Sequence, residues 1–137
     1  MSEKLCALKK IGGGTKELTE TTLWTNSSPT SNFAYQTVSL SDSMDNYDFL
    51  AFYWRISTSN ASETHLIIPV SEFKKEDNTL TLTFKSLIGV QYNAATYARL
   101  LAYISETQSV LGTAYQLGGS ATNNSLIIPT KIIGMKY

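Results

Sequence analysis

The chain has 137 residues, of which 42% are apolar and 16% charged, the charged share well under the ~25% of an average soluble domain. Eleven basic residues balance eleven acidic ones, so no broad cationic field exists to hold nucleic acid or anionic lipid. A single cysteine, Cys6, excludes an intrachain disulfide and a cysteine-based metal cluster, and a single histidine, His65, excludes a two-histidine metal site.

In place of charge the chain uses Ser, Thr, Asn and Tyr, a composition suited to pleated, half-buried surfaces. The opening "MSEKLCALKKIGGG" lacks the apolar stretch of roughly 7–15 residues that a signal peptide needs. No run approaches the ~20 apolar residues of a membrane helix. The expectation is synthesis in a cytoplasm, with no membrane insertion.

Residues 1–21 are basic through Lys4, Lys9, Lys10 and Lys16, and Gly12 to Gly14 interrupt them as a hinge. They are read as a flexible N-terminal arm, mobile or docked on a neighbouring subunit, ahead of a single domain at 22–137. From Thr22 onward strand follows strand. "TLWT" (22–25) leads into the polar turn "NSSPTSN", and "FAYQTVSL" (33–40) alternates. "SDSMDN" (41–46) is a loop. "YDFLAFYWRIS" (47–57) puts Leu50, Phe52, Trp54 and Ile56 on one face at period two.

"THLIIPVS" (64–71) reads as a strand, "FKKEDN" as a charged turn, and "TLTLTFK" (79–85) as a half-buried strand with threonines outward. "IGVQY" (88–92) is a short strand. "TYARLLAYISE" (96–106) fits a helix or a strand, and its neighbours favour the strand. "SVLGTAYQL" (109–117) and the closing "SLIIPTKIIGMKY" complete about eight or nine strands. Turn signals every 8–15 residues predict an all-β, antiparallel sandwich or jelly-roll-like fold.

The tetrapeptide "LIIP" occurs twice, at 66–69 and 126–129. The likeness stops directly downstream, so each copy is read as a strand leaving a polar loop rather than as a duplication. Leu66 and Ile68, or Leu126 and Ile128, share one face, with Ile67 or Ile127 on the other. Pro69 and Pro129 cannot donate to a ladder and mark an edge, a bulge or a crossover. The last strand is apolar on both faces, which makes it a candidate for contact with a partner chain.

No catalytic constellation stands out. His65 sits at a strand entrance and is read as exposed or capping, not as a base beside a nucleophile. Asp42, Asp45 and Asp48 lack the Gly and bidentate Glu of a calcium loop and read as a solvated turn. "IGGGT" is followed by no Gly-Lys-Ser/Thr and is not a phosphate loop. Neither a metal nor a cofactor is implied.

One arrangement does draw together binding chemistry. The odd face of 47–57 carries Tyr47, Phe49, Tyr53 and Arg55, and one face of 96–106 carries Tyr97, Arg99, Leu101 and Tyr103. Both arginines of the chain thus lie among tyrosines, on faces expected to point away from the core. Such surfaces suit subunit packing and sugar rings alike. Tyr53, Arg55, Tyr97, Arg99 and Tyr103 are the candidate ligand or subunit contacts.

Five blocks carry a family resemblance. They are Leu23 to Phe33 ("LWTNSSPTSNF"), Gln36 to Leu40 ("QTVSL"), Tyr47-Asp48, Ile67 to Pro69, and Lys131 to Lys136 ("KIIGMK"). In this order, after a Gly-rich arm, they resemble small tail and fibre-associated proteins of phages and prophages of Gram-positive and gut bacteria. The resemblance implies a β-sandwich component of the tail. It further implies a homo-oligomer, often trimeric, that meets other tail proteins in the virion and contributes to adsorption. It assigns no residue-level site. The expectation is a non-catalytic structural or receptor-binding module, holding host surface glycan weakly in each subunit and more tightly through several copies. The alternatives are an assembly protein without a ligand and a small glycan-cleaving enzyme, the latter needing two carboxylates ~5–9.5 Å apart.

Overall fold

The period-two pattern becomes strands almost throughout the computed structural model, which describes residues 9–11, 14–75, 85–92 and 95–137. β1 (Lys9–Ile11) pairs with β2 (Gly14–Lys16) as a small two-stranded sheet. There follow β3 (Thr19–Thr25), β4 (Gln36–Ser39), β5 (Phe49–Ser57) and β6 (Glu63–Pro69). A single helical turn, α1 (Val70–Phe73), then precedes β7 (Ser86–Tyr92), β8 (Ala95–Ser105), β9 (Gln108–Leu111), β10 (Tyr115–Gln116) and β11 (Leu126–Lys136).

All pairings among these strands are antiparallel. One sheet has the order β3-β11-β5-β6; the other runs β10-β8-β9-β4, with β7 also paired to β8. The main core lies between them, since Leu23, Leu50, Phe52, Trp54, Ile68, Ile128 and Ile132 of the first sheet cluster with Val38, Leu87, Tyr97, Leu101 and Leu111 of the second. The all-β sandwich expected from the pattern is the observed architecture.

Several boundaries move, each for a local reason. Of the expected arm, residues 1–8 and 12–13 lie outside the described residues, while Thr19 to Thr21 already pair in β3 and Leu18 is buried. The expected strand at 79–85 also lies outside them, except for Lys85. Residues 96–106 are strand, within β8. Strand 64–71 stops at Pro69, because Val70 and Phe73, three apart, bury side by side only if the chain turns helically. Tyr47 precedes β5, and its ring lies against Gly134 on the core side instead of sharing the face of Tyr53.

The acidic turn at 41–48 is a hydrogen-bonded corner. Asp42 accepts from the Tyr47 hydroxyl at 2.9 Å, the Ser43 amide at 2.8 Å and the Asn46 amide side chain at 3.0 Å. Those bonds, that from Tyr47 foremost, hold the Asp42 carboxyl below the usual carboxylate range. A depressed folded pKa gives stability that is present above the unfolded value and lost as pH falls through the folded one. Asp42→Asn is therefore expected to flatten the acid limb of the melting-temperature profile below about pH 4. Parallel acid limbs for the two proteins would sink this account.

Candidate functional site

The structure does not bring the five candidate residues onto one surface. Tyr53 and Arg55 lie on β5, on the outer face of the four-stranded sheet. Tyr97, Arg99 and Tyr103 lie on the inward side of β8. Tyr97 and Arg99 are buried, and Tyr103 is half-buried with its ring edge-on to Phe73 at 6.3 Å. The expectation that both tyrosine-arginine faces point away from the core holds for β5 and fails for β8.

Arg99 explains the reversal. Its side chain has no exposed surface, and all of its polar nitrogens donate to backbone carbonyls. Nε donates to Ile127 at 2.6 Å, Nη1 to Gly112 at 2.8 Å, and Nη2 to Leu126 at 3.0 Å and Asn124 at 3.2 Å. The Phe33 ring covers the guanidinium, 5.3 Å from its carbon, as a cation–π contact. Burial pushes the Arg99 pKa down to about 10, which leaves it charged at neutral pH. The fork geometry of arginine is what lets one side chain tie the 112 turn to the 124–127 entrance of β11.

The block "LWTNSSPTSNF" closes the same corner. Trp24 meets Phe33 edge-on at 6.1 Å, and the Asn26 side chain donates to Pro129 at 2.8 Å. The Phe33 amide donates to Asn124 at 3.0 Å. Structurally, then, this stretch is a clasp over the Arg99 guanidinium and the start of β11. Arg55 has a similar local task, donating to the carbonyls of Ser57 at 2.9 Å and Thr58 at 3.2 Å in the β5–β6 turn.

What the outer face does present is a stack across three strands. The register places His65 of β6 and Lys131 of β11 on either side of Tyr53 of β5. The His65 ring stacks on Tyr53 at 4.8 Å with 28° between planes, and Lys131 Nζ lies 4.6 Å from the tyrosine centroid. Burial, then the negative charges of Glu20 and Glu63, push the Tyr53 phenol up. His65 is exposed and Tyr53 half-exposed, so the polar tips of the stack reach solvent.

Beneath it lies a small second core of Leu18, Ala51, Ile133 and Met135, roofed by Phe49, Tyr53 and Tyr137. The apolar outer side of the C-terminal strand is thus covered by the chain's own side chains. Tyr53 is therefore packed from below while its polar tip stays accessible.

The pattern of β5 pointed to Tyr53, whereas His65 and Lys131 were missed. Their alignment depends on the length of the 58–62 turn and on β11 pairing with β5, neither of which a single strand's alternation reveals. Several acidic side chains are engaged by local partners. Asp45 pairs with Lys74 at 2.6 Å, Glu72 with Lys75 at 3.1 Å and Asp48 with Lys136 at 3.9 Å, and Glu63 accepts from the Thr130 hydroxyl. No protein-family model matches the chain, and no curated protein sequence does either.

Proposed function

We propose that the chain is a non-catalytic recognition and assembly module of a phage or prophage tail, and that the outer face of its four-stranded sheet touches host surface glycan. The observation that carries this reading is the His65–Tyr53–Lys131 stack, an exposed aromatic and cationic group set on an apolar floor and flanked by Glu20 and Glu63. Ring edges, an ammonium and carboxylates together offer the apolar contact and the hydrogen bonds that a pyranose takes. The tail setting rests on the sequence blocks described above.

A single shallow face of this kind holds a sugar weakly, and several copies in a homo-oligomer raise the avidity by about 10²–10⁴-fold. Immobilised protein screened against bacterial surface glycans is expected to retain at least one class. Tyr53→Ala and Lys131→Ala are each expected to lower that signal about tenfold or more, with the melting profile still cooperative. Absence of any glycan binding, or binding indifferent to both substitutions, would overturn the reading.

A further inference from the structure

We propose that β6 is the edge through which two copies of this chain pair, strand to antiparallel strand, making one continuous eight-stranded sheet about a two-fold axis. The phase of the β5–β6 ladder shows which groups are available. Val70 N donates to Asp48 O and Ile56 N to Ser62 O, both at 3.0 Å, so even-numbered β6 residues bond to β5. The N–H and C=O groups of Glu63, His65 and Ile67 therefore point away from β5, and among the described residues they have no backbone partner.

The opposite edge of the same sheet is treated differently. Along β3, the Ser41 amide donates to Leu23 O at 2.8 Å and the Ser41 hydroxyl to Thr22 O at 3.4 Å, so the 41–48 corner blocks that edge. Within β6 itself there is no lysine and no bulge, its proline stands at the last position, and among the described residues no segment covers the edge. Ile67 is 45% exposed there, beside the half-buried Leu66.

The charge pattern selects the partner and its direction. The one acidic residue of β6, Glu63, stands at one end of the strand. A parallel copy in register would set the two carboxylates opposite each other, whereas an antiparallel copy keeps them about 20 Å apart. Full overlap of Glu63–Pro69 places Leu66 opposite Leu66 of the second copy at the axis. Ile67 and His65 are then opposite one another on the outer face, bonded through their outward amides. Each exposed isoleucine is covered by the other copy's imidazole, and the contact is self-complementary, as a two-fold interface must be.

Opposed Leu66 residues form a non-hydrogen-bonded pair with Cα atoms about 4.5 Å apart, within disulfide range. Leu66→Cys in a Cys6→Ser background is expected to cross-link into a covalent dimer under mild oxidation. Ile67→Lys, at an exposed position, is expected to weaken self-association about tenfold or more while the melting profile stays cooperative. Light scattering at tens of micromolar reads the mass. A monomer, a pure trimer, a dimer indifferent to Ile67→Lys, or failure of Leu66→Cys to cross-link would each overturn the proposal. Glycan binding by a monomer would leave the proposed function standing and remove this one.

Discussion

Arg99→Ala is expected to lower the unfolding free energy by about 3–5 kcal/mol, the range seen when one partner of a buried charged network is removed. The cause is not a lost ion pair, since the guanidinium meets no carboxylate among the described residues. Truncation leaves the carbonyls of Gly112, Leu126 and Ile127 without this donor in the core, while that of Asn124 keeps the Phe33 amide, and each such orphan costs roughly 1–3 kcal/mol before relaxation. At this chain length the loss corresponds to a fall in melting temperature on the order of 10–15 °C.

Two further variants separate charge from hydrogen bonding. Arg99→Met keeps much of the volume and removes the cost of burying a cation, a replacement that is often neutral for buried ions. Here it still removes the donor to the carbonyls of Gly112, Leu126 and Ile127, so a loss of about 2 kcal/mol or more is expected. Arg99→Lys keeps the charge but gathers three donors on one nitrogen, so it satisfies only some of the acceptors and is expected to fall between wild type and Met. Urea denaturation measures all three. If Arg99→Met were as stable as wild type, the carbonyl network would not be what holds the 112 turn to β11.

The same residue marks the limit of what the chain's pattern discloses. Within β8, alternation correctly separates Tyr97, Arg99, Leu101 and Tyr103 from Ala98, Leu100 and Ala102, but does not say which set faces inward. A charge ordinarily decides that question, because lysine and arginine are rarely fully buried. In this fold the deciding fact is the convergence of four carbonyls from segments 13 to 28 residues downstream, which no property of the strand itself reports. By contrast β5 was legible, since Leu50, Phe52 and Trp54 meet the core by simple alternation. The outer-face site was legible only at Tyr53, because the rest of the stack comes from strand register.

The two "LIIP" copies make the same point. In β6 the alternation holds: Ile68 is buried and Ile67 exposed on the opposite face. In β11, Leu126, Ile127 and Ile128 all enter the core, because Ile127 takes a φ of 51°. Pro129 then lies at the register shift against β5, so one proline ends an edge strand and the other marks a bulge. Identical residues adopt different backbones because only the second copy has Arg99 to bond the carbonyl of its first isoleucine, Ile127.

Gly89→Ala is expected to destabilise the fold by about 2–4 kcal/mol, through that left-handed isoleucine. A Cβ built on Gly89 would stand 2.5 Å from Ile127 Cγ1 and 2.9 Å from Cδ1, closer than carbon atoms approach. Ile127 cannot yield easily. It has no exposed surface, its branched Cβ restricts χ1, and its carbonyl is fixed by Arg99 Nε. A φ of 51° at a β-branched residue itself stores roughly 1–3 kcal/mol, which the surrounding packing must offset. Ile127→Ala alone is expected to cost about 2–4 kcal/mol, from lost burial and the cavity left behind. In the double variant the new methyl at 89 enters the space vacated at 127, so the combined loss is expected to be at least about 1 kcal/mol smaller than the sum. Ile127→Gly is expected to be about 1 kcal/mol less damaging than Ile127→Ala, since glycine adopts positive φ without strain. Strict additivity of Gly89→Ala and Ile127→Ala in urea melts would show that the two residues do not hold each other in place. The contact would then not be what joins β7 to the strained entrance of β11.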